Sequence, residues 1–170
     1  LGATLVKDAL KKTGLAPQSV DEILMGQVLT AGTGQAPARQ AAIYGGLPSS
    51  VCATTINRVC GSGLKAVMLA DQAIRLGEAQ IVFAGGQESM SQSPHLLMGS
   101  RSGYRFGAVE MKDHMQWDGL WDPYDNVSMG QCGEICAEAF GFSKQEQDRF
   151  AQKSYERARE AMDKGYFANE

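Results

Sequence analysis

Long apolar runs are missing from this chain. No stretch is long enough to span a bilayer, and no basic-then-apolar opening reads as a signal peptide, so no membrane partner is expected. Charge of one sign is scarce as well. Sixteen Lys and Arg against nineteen Asp and Glu leave a formal net charge of -3, without the basic footprint that nucleic-acid binding requires. Histidine is limited to His95 and His114, which narrows the choice of a general base. The four cysteines, Cys52, Cys60, Cys132 and Cys136, form no dense framework in a chain large enough to need no staples. Reduced thiols in a cytoplasmic compartment are the expectation. Cys132 and Cys136 share a helical spacing, but two ligands without a second pair or a nearby histidine argue against a metal, and none is expected. Burial as small hydrophobes is their default.

What is present suits a packed core. The chain has 170 residues, 44% of them hydrophobic, enough for one domain or for one domain plus part of another. Glycine is in excess, at 20 residues. The clusters at 32–34, 45–46, 61–63 and 85–86 border apolar segments, which points to tight turns and close backbone approaches. The opening at Leu1, already inside a helical pattern, and the unpunctuated end after Gly165 read as cut edges of a longer protein.

Helix and strand signals alternate. Leu5, Val6 and Leu10 predict a helix over 2–13, stopped by Gly14. Residues 22–29 read as a buried strand, and Pro37 opens a helix that Gly45-Gly46 ends. Residues 54–57 predict a second strand. The segment 61–77, nearly free of charge in its first half, predicts a helix buried all round, and 81–84 a third strand. Short connections between alternating elements argue for a layered α/β fold with a largely parallel sheet. After Ser89 the character changes: Pro94, Gly99, Gly103, Gly107, Gly119 and Pro123 mark a long irregular segment of the kind that is usually functional. Helix resumes near 130–140, and the capping-box spacing of Ser143 and Glu146 opens a charged helix to about 164. The expected division is an α/β domain over 1–90 and a partial loop domain over 91–170.

One segment carries chemistry. Cys60 stands between a strand and a helix and is followed by Gly61 and Gly63, which permit a sharp turn. There its sulfur would face the carboxyl ends of the strands, where open α/β sheets bind ligands. The helix N-terminus favours negative charge, hence the thiolate, and its amides suit the oxyanion of an attacked thioester. A structural cysteine beneath a glycine turn stays open on this pattern alone. Neither histidine is directed at Cys60 by anything in the sequence; both read as surface or packing residues.

The run Asn57-Arg58-Val59-Cys60-Gly61-Ser62-Gly63-Leu64-Lys65-Ala66, with Ala84-Gly85-Gly86-Gln87-Glu88-Ser89-Met90-Ser91, resembles the acyl-enzyme signature of the thiolases. Gly26-Gln27-Val28, the 34–40 segment, Asp118-Gly119-Leu120-Trp121-Asp122 and Ser128-Met129-Gly130 resemble further stretches of that family. The resemblance implies a thiolase-like layered α/β/α fold in an incomplete N-terminal half, lacking the family's opening strand, plus part of a loop domain. It implies acetyl transfer between coenzyme A thioesters, two acetyl-CoA giving acetoacetyl-CoA and coenzyme A reversibly, with the thioester as substrate and no separate cofactor.

Residue by residue, the resemblance makes Cys60 the acylated nucleophile, its backbone amide part of an oxyanion hole, and Leu120 and Met129 contacts to pantetheine. Ser128 stands where acetoacetyl-CoA thiolases often have a histidine, which bears on the contact to coenzyme A. Asn57 and Glu88 are expected to support the catalytic loop and a dimer contact. The segment 100–105 resembles a tetramer-forming loop, so a homodimer or homotetramer is expected. The family's histidine, second cysteine and water-holding asparagine motifs do not occur in these residues, so the chain by itself is expected to be inactive. A broad-range 3-ketoacyl-CoA thiolase and a non-catalytic subunit that binds coenzyme A are the alternatives.

Overall fold

The computed structural model describes residues 1–168. They divide into two compact units, one spanning Leu1–Leu120 and the other beginning at Trp121. In the first, α1 (Gly2–Thr13) ends where Gly14 turns left-handed at φ 67° and its N–H caps Leu10 O. Strand β1 (Glu22–Gly26) follows, then α2 (Pro37–Gly45), β2 (Cys52–Ile56), α3 (Ser62–Arg75) and β3 (Val82–Gly86). The three strands form a parallel sheet in the order β2-β1-β3. The register sets Gly26 opposite both Ile56 and Gly86, so three carboxyl ends finish level.

Alternation along β1 explains the layers. Ile23 and Met25 enter a cluster with Val6, Ala38, Ala42 and Val51 beneath α1 and α2. Leu24 points the other way, onto Ala66 and Ala70 of α3. A central parallel strand buried on both faces needs this continuous apolar run. Ile23 is fully buried, a contribution of about 2–3 kcal/mol. The start of the sheet is tied by Asp21, whose carboxylate accepts from the amides of Gln80 (2.7 Å) and Ile81 (3.0 Å). The Ile81 and Gln80 amides together hold that carboxyl below its ordinary value. The expected α/β/α layering is present.

Within these residues α3 is buried on one side, short of the expected burial all round. It meets the sheet through the small residues Ser62, Ala66 and Ala70, while Leu64 is 68% exposed and Val67 50%. Alanines on one face bring helix and sheet backbones close, which turns the bulky residues outward. The strand edges also shift. β1 stops at Gly26 instead of Leu29 because Glu88 takes the Val28 and Leu29 amides away from any ladder.

Beyond residue 90 the chain is less irregular than its composition suggests. Strand β4 (His95–Leu97) pairs antiparallel with β5 (Met111–Asp113), and a short helix α4 (His114–Gly119) follows, its N-cap Asp113 accepting from Met115 N–H at 2.9 Å. The change of character after Ser89 does not coincide with the division between units, because residues 91–120 pack with the first. The His114 N–H donates to Pro94 O, and its ring accepts from Ala31 N–H.

In the second unit β6 (Trp121–Asp122) pairs antiparallel with β7 (Val127–Ser128), followed by α5 (Met129–Phe140) and α6 (Lys144–Asp163). Both helices open with capping boxes, Ser128 with Gln131 and Ser143 with Glu146. None of its described residues is buried. Cys132 and Cys136 therefore depart from their expected burial: Cys132 is partly exposed and Cys136 exposed. Among the described residues no helix is long and apolar enough to cross a membrane.

Candidate active site

The site is built where the three strands end. A Cβ on Gly26 would come within 2.5 Å of Gly63 N and Ser62 C, and one on Gly86 within 3.3 Å of Gly26 O. Only glycine lets the first turn of α3 rest this closely on the strand ends. The chain reaches that turn through Val59, whose φ of 47° is left-handed for a β-branched residue. Such a conformation costs on the order of 1–3 kcal/mol and persists only when its surroundings over-determine it. Ser62 does so: its hydroxyl donates to Val59 O (2.6 Å) and accepts from Arg58 N–H (2.8 Å). Asn57 Oδ1 accepts from Val59 N–H at 3.0 Å, and the Gly61 and Ser62 amides donate to Arg58 O and Val59 O. Cys60 rides on this clamped turn with its side chain exposed.

A cleft of about 440 Å³ opens over the turn and includes Cys60, Gly63 and Gly86. Val28, Leu29, Met115 and Leu120 supply an apolar wall. That wall is fixed from two sides. The Glu88 carboxylate accepts from the amides of Val28 (2.8 Å) and Leu29 (3.0 Å). His114, only 5% exposed, accepts from Ala31 N–H at 3.2 Å through Nε2 and meets Asp118 Oδ2 at 2.5 Å through Nδ1. Both ring nitrogens are thus engaged, and His114 is a packing histidine. His95, exposed on β4, is not among the residues lining the cleft.

Of the residues expected at the site, Cys60 and Leu120 line one cleft. Ser128 and Met129 belong to the second unit, where Ser128 caps α5 and accepts from Gln131 N–H at 3.3 Å. Glu88 and Asn57 act on the loops around Cys60, each through backbone amides. Sequence reading missed the structural importance of Gly26, whose lone position in an apolar strand signals close backbone approach. It also missed the His114–Asp118 pair, although an i,i+4 spacing puts both on one helical face.

The sequence profile of the thiolase N-terminal domain matches residues 1–170. The chain belongs to the thiolase family. Two curated relatives illustrate the likeness: the acetyl-CoA acetyltransferase of Allochromatium vinosum is 54% identical over 170 residues, and the probable acetyl-CoA acetyltransferase of Escherichia coli 52%. Each match takes in all of this chain and 43% of the relative, so the chain spans less than half the length of the thiolases it matches. Among solved structures, the Acat5 thiolase from Ascaris suum in complex with coenzyme A superimposes with a TM-score of 0.91 at 38% identity, covering 100% of this chain and 44% of that one. The thiolase-like segments that are separate in sequence meet in space: Cys60 and Gly63 from one, Gly86, Glu88 and Met90 from the other, face the same cleft.

Proposed function

We propose that this chain supplies the nucleophilic half of an acetyl-CoA C-acetyltransferase, with Cys60 as the acyl carrier. The observation behind the reading is the exposed thiol on a clamped turn at the start of α3, facing a cleft walled by apolar side chains. In the first half-reaction the Cys60 thiolate adds to the thioester carbonyl of acetyl-CoA. The oxyanion collapses, the C–S bond to coenzyme A breaks, and the acetyl group stays on sulfur. The Cys60 amide is assigned to the oxyanion, since the Gly61 and Ser62 amides are committed to the turn. In the second half-reaction a second acetyl-CoA, deprotonated at its α-carbon, attacks the acetyl-cysteine carbonyl; the C–S bond to Cys60 breaks, the thiolate leaves, and acetoacetyl-CoA is formed. His114 is unsuited to that deprotonation because both ring nitrogens are occupied, so the base is assigned to residues outside these 170.

Leu120, on the cleft wall, is assigned to the pantetheine arm, and Met129 and Ser128 to further contacts with coenzyme A. A cleft of about 440 Å³ lies within the size range of small-molecule sites. The assembly that goes with this reading is a homodimer or homotetramer in the cytoplasm, in keeping with unpaired cysteines at all four positions. Initial-rate kinetics of the full-length protein test the proposal. In the thiolysis direction, with acetoacetyl-CoA and coenzyme A varied, parallel double-reciprocal lines are expected, and Cys60→Ala lowers kcat/KM at least about a thousandfold. Intersecting lines, or an active Cys60→Ala variant, would refute it. Preference for long 3-ketoacyl substrates would move the assignment to a broad-range thiolase.

A further inference from the structure

We infer that the pair of buried His114 and exposed Asp118 is a positioning device that sets the width of the cleft over Cys60; this rests on reading that cleft as the acyl-CoA site. The geometry behind it is local. Ala31 N–H donates to His114 Nε2, so that nitrogen carries no proton and Nδ1–H is the one offered to Asp118. The ring therefore bridges two segments far apart in the chain, the loop after β1 and helix α4. Their neighbours are the cleft wall itself: Leu29 lies two residues before Ala31, Met115 follows His114, and Gly119 follows Asp118.

The two segments lie side by side: a Cβ on Gly119 would make an ordinary van der Waals contact with Leu29 Cδ2 at 3.4 Å. Glu88 fixes Leu29 from the strand side, and His114 fixes Ala31 from the helix side. Without the imidazole, the loop after Leu29 keeps its bonds to Glu88, Gln27 and Gln40 but loses the one from Ala31 to α4, and with it the tie to the Gly119–Leu120 corner. His114 touches no reacting atom. Its effect is expected on substrate binding, with the chemistry at Cys60 left intact once the site is filled.

The test is the split between KM and kcat in the full-length protein. His114→Ala is expected to raise KM for acetyl-CoA about tenfold, the equivalent of one well-placed hydrogen bond, with kcat nearly unchanged. His114→Gln keeps an acceptor for Ala31 N–H and recovers most of the loss; His114→Asn keeps only the donor to Asp118 and behaves like alanine. An unchanged KM in His114→Ala, a kcat that falls in step with KM, or a glutamine variant as impaired as alanine would overturn the inference. Should the alanine variant fail to fold, Asp118→Asn, which loosens the orienting partner alone, is expected to raise KM by a smaller factor, and no rise contradicts the role. Mass spectrometry of Cys60 separates the two readings. If the wild-type protein takes no acetyl group, the proposed function fails; if wild type and His114→Ala are acetylated with the same concentration dependence, the positioning role alone fails.

Discussion

The two compact units are stabilised in different ways. The unit over Leu1–Leu120 has a two-sided core, with Ile23, Met25, Ala38 and Ala42 on one face of the sheet and Leu24, Ala66 and Ala70 on the other. The unit from Trp121 has no buried residue among those described; its helices rest on capping boxes and i,i+4 pairs such as Lys144–Asp148 and Arg159–Asp163. Burial secures a strand end to a few tenths of an ångström, whereas caps and exposed ion pairs secure only a helix to itself. Cys60 sits in the first kind of structure, which explains how a left-handed Val59 is maintained next to it.

The contrast can be broken at its strongest point by Ile23→Ala, expected to destabilise the first unit by about 4 kcal/mol in urea denaturation. Gly26→Ala comes next, at about 3 kcal/mol, since the new methyl meets the backbone of Ser62 and Gly63. It is also expected to slow alkylation of Cys60, because relief of the clash moves the turn. Asp21→Asn gives a smaller, pH-dependent loss. The folded carboxyl is held below its ordinary value of 3.8 by the Ile81 and Gln80 amides. Its contribution is therefore complete above that value and fades as pH falls through the lower folded one, so the wild-type and variant stability curves converge in acid. In the second unit Ser143→Ala is expected to cost about 1 kcal/mol of local helix stability, seen as faster amide exchange in the first turn of α6. Lys144→Ala is expected to change stability by less than about 0.5 kcal/mol.

What was legible in the sequence follows the same division between near and far. Capping by Ser143 and Glu146 and the stop at Gly14 depend on residues within one turn, and both appear as expected. The layered α/β fold was readable because apolar alternation is local as well. The end of β1 at Gly26 was not, since it depends on a carboxylate 60 residues away in sequence. Nor was the attachment of residues 91–120 to the first unit, carried in part by a bond across 83 residues between Ala31 and His114. Which side of α3 meets the sheet escaped because a composition rule counts apolar residues without showing which of them face β1. At the site, Cys60 was visible through its glycines and Glu88 through the thiolase-like run, while the amides that Glu88 takes and the imidazole that fixes the cleft wall were seen only in three dimensions.

Acetylation at a single sulfur is the most direct test of the central claim. Full-length protein incubated with acetyl-CoA, digested and examined by mass spectrometry should carry the acetyl group on Cys60, with Cys52, Cys132 and Cys136 unmodified, and lose it when coenzyme A is added in excess. An acetyl group on another residue, or an unmodified Cys60 in protein that turns over substrate, would contradict the account.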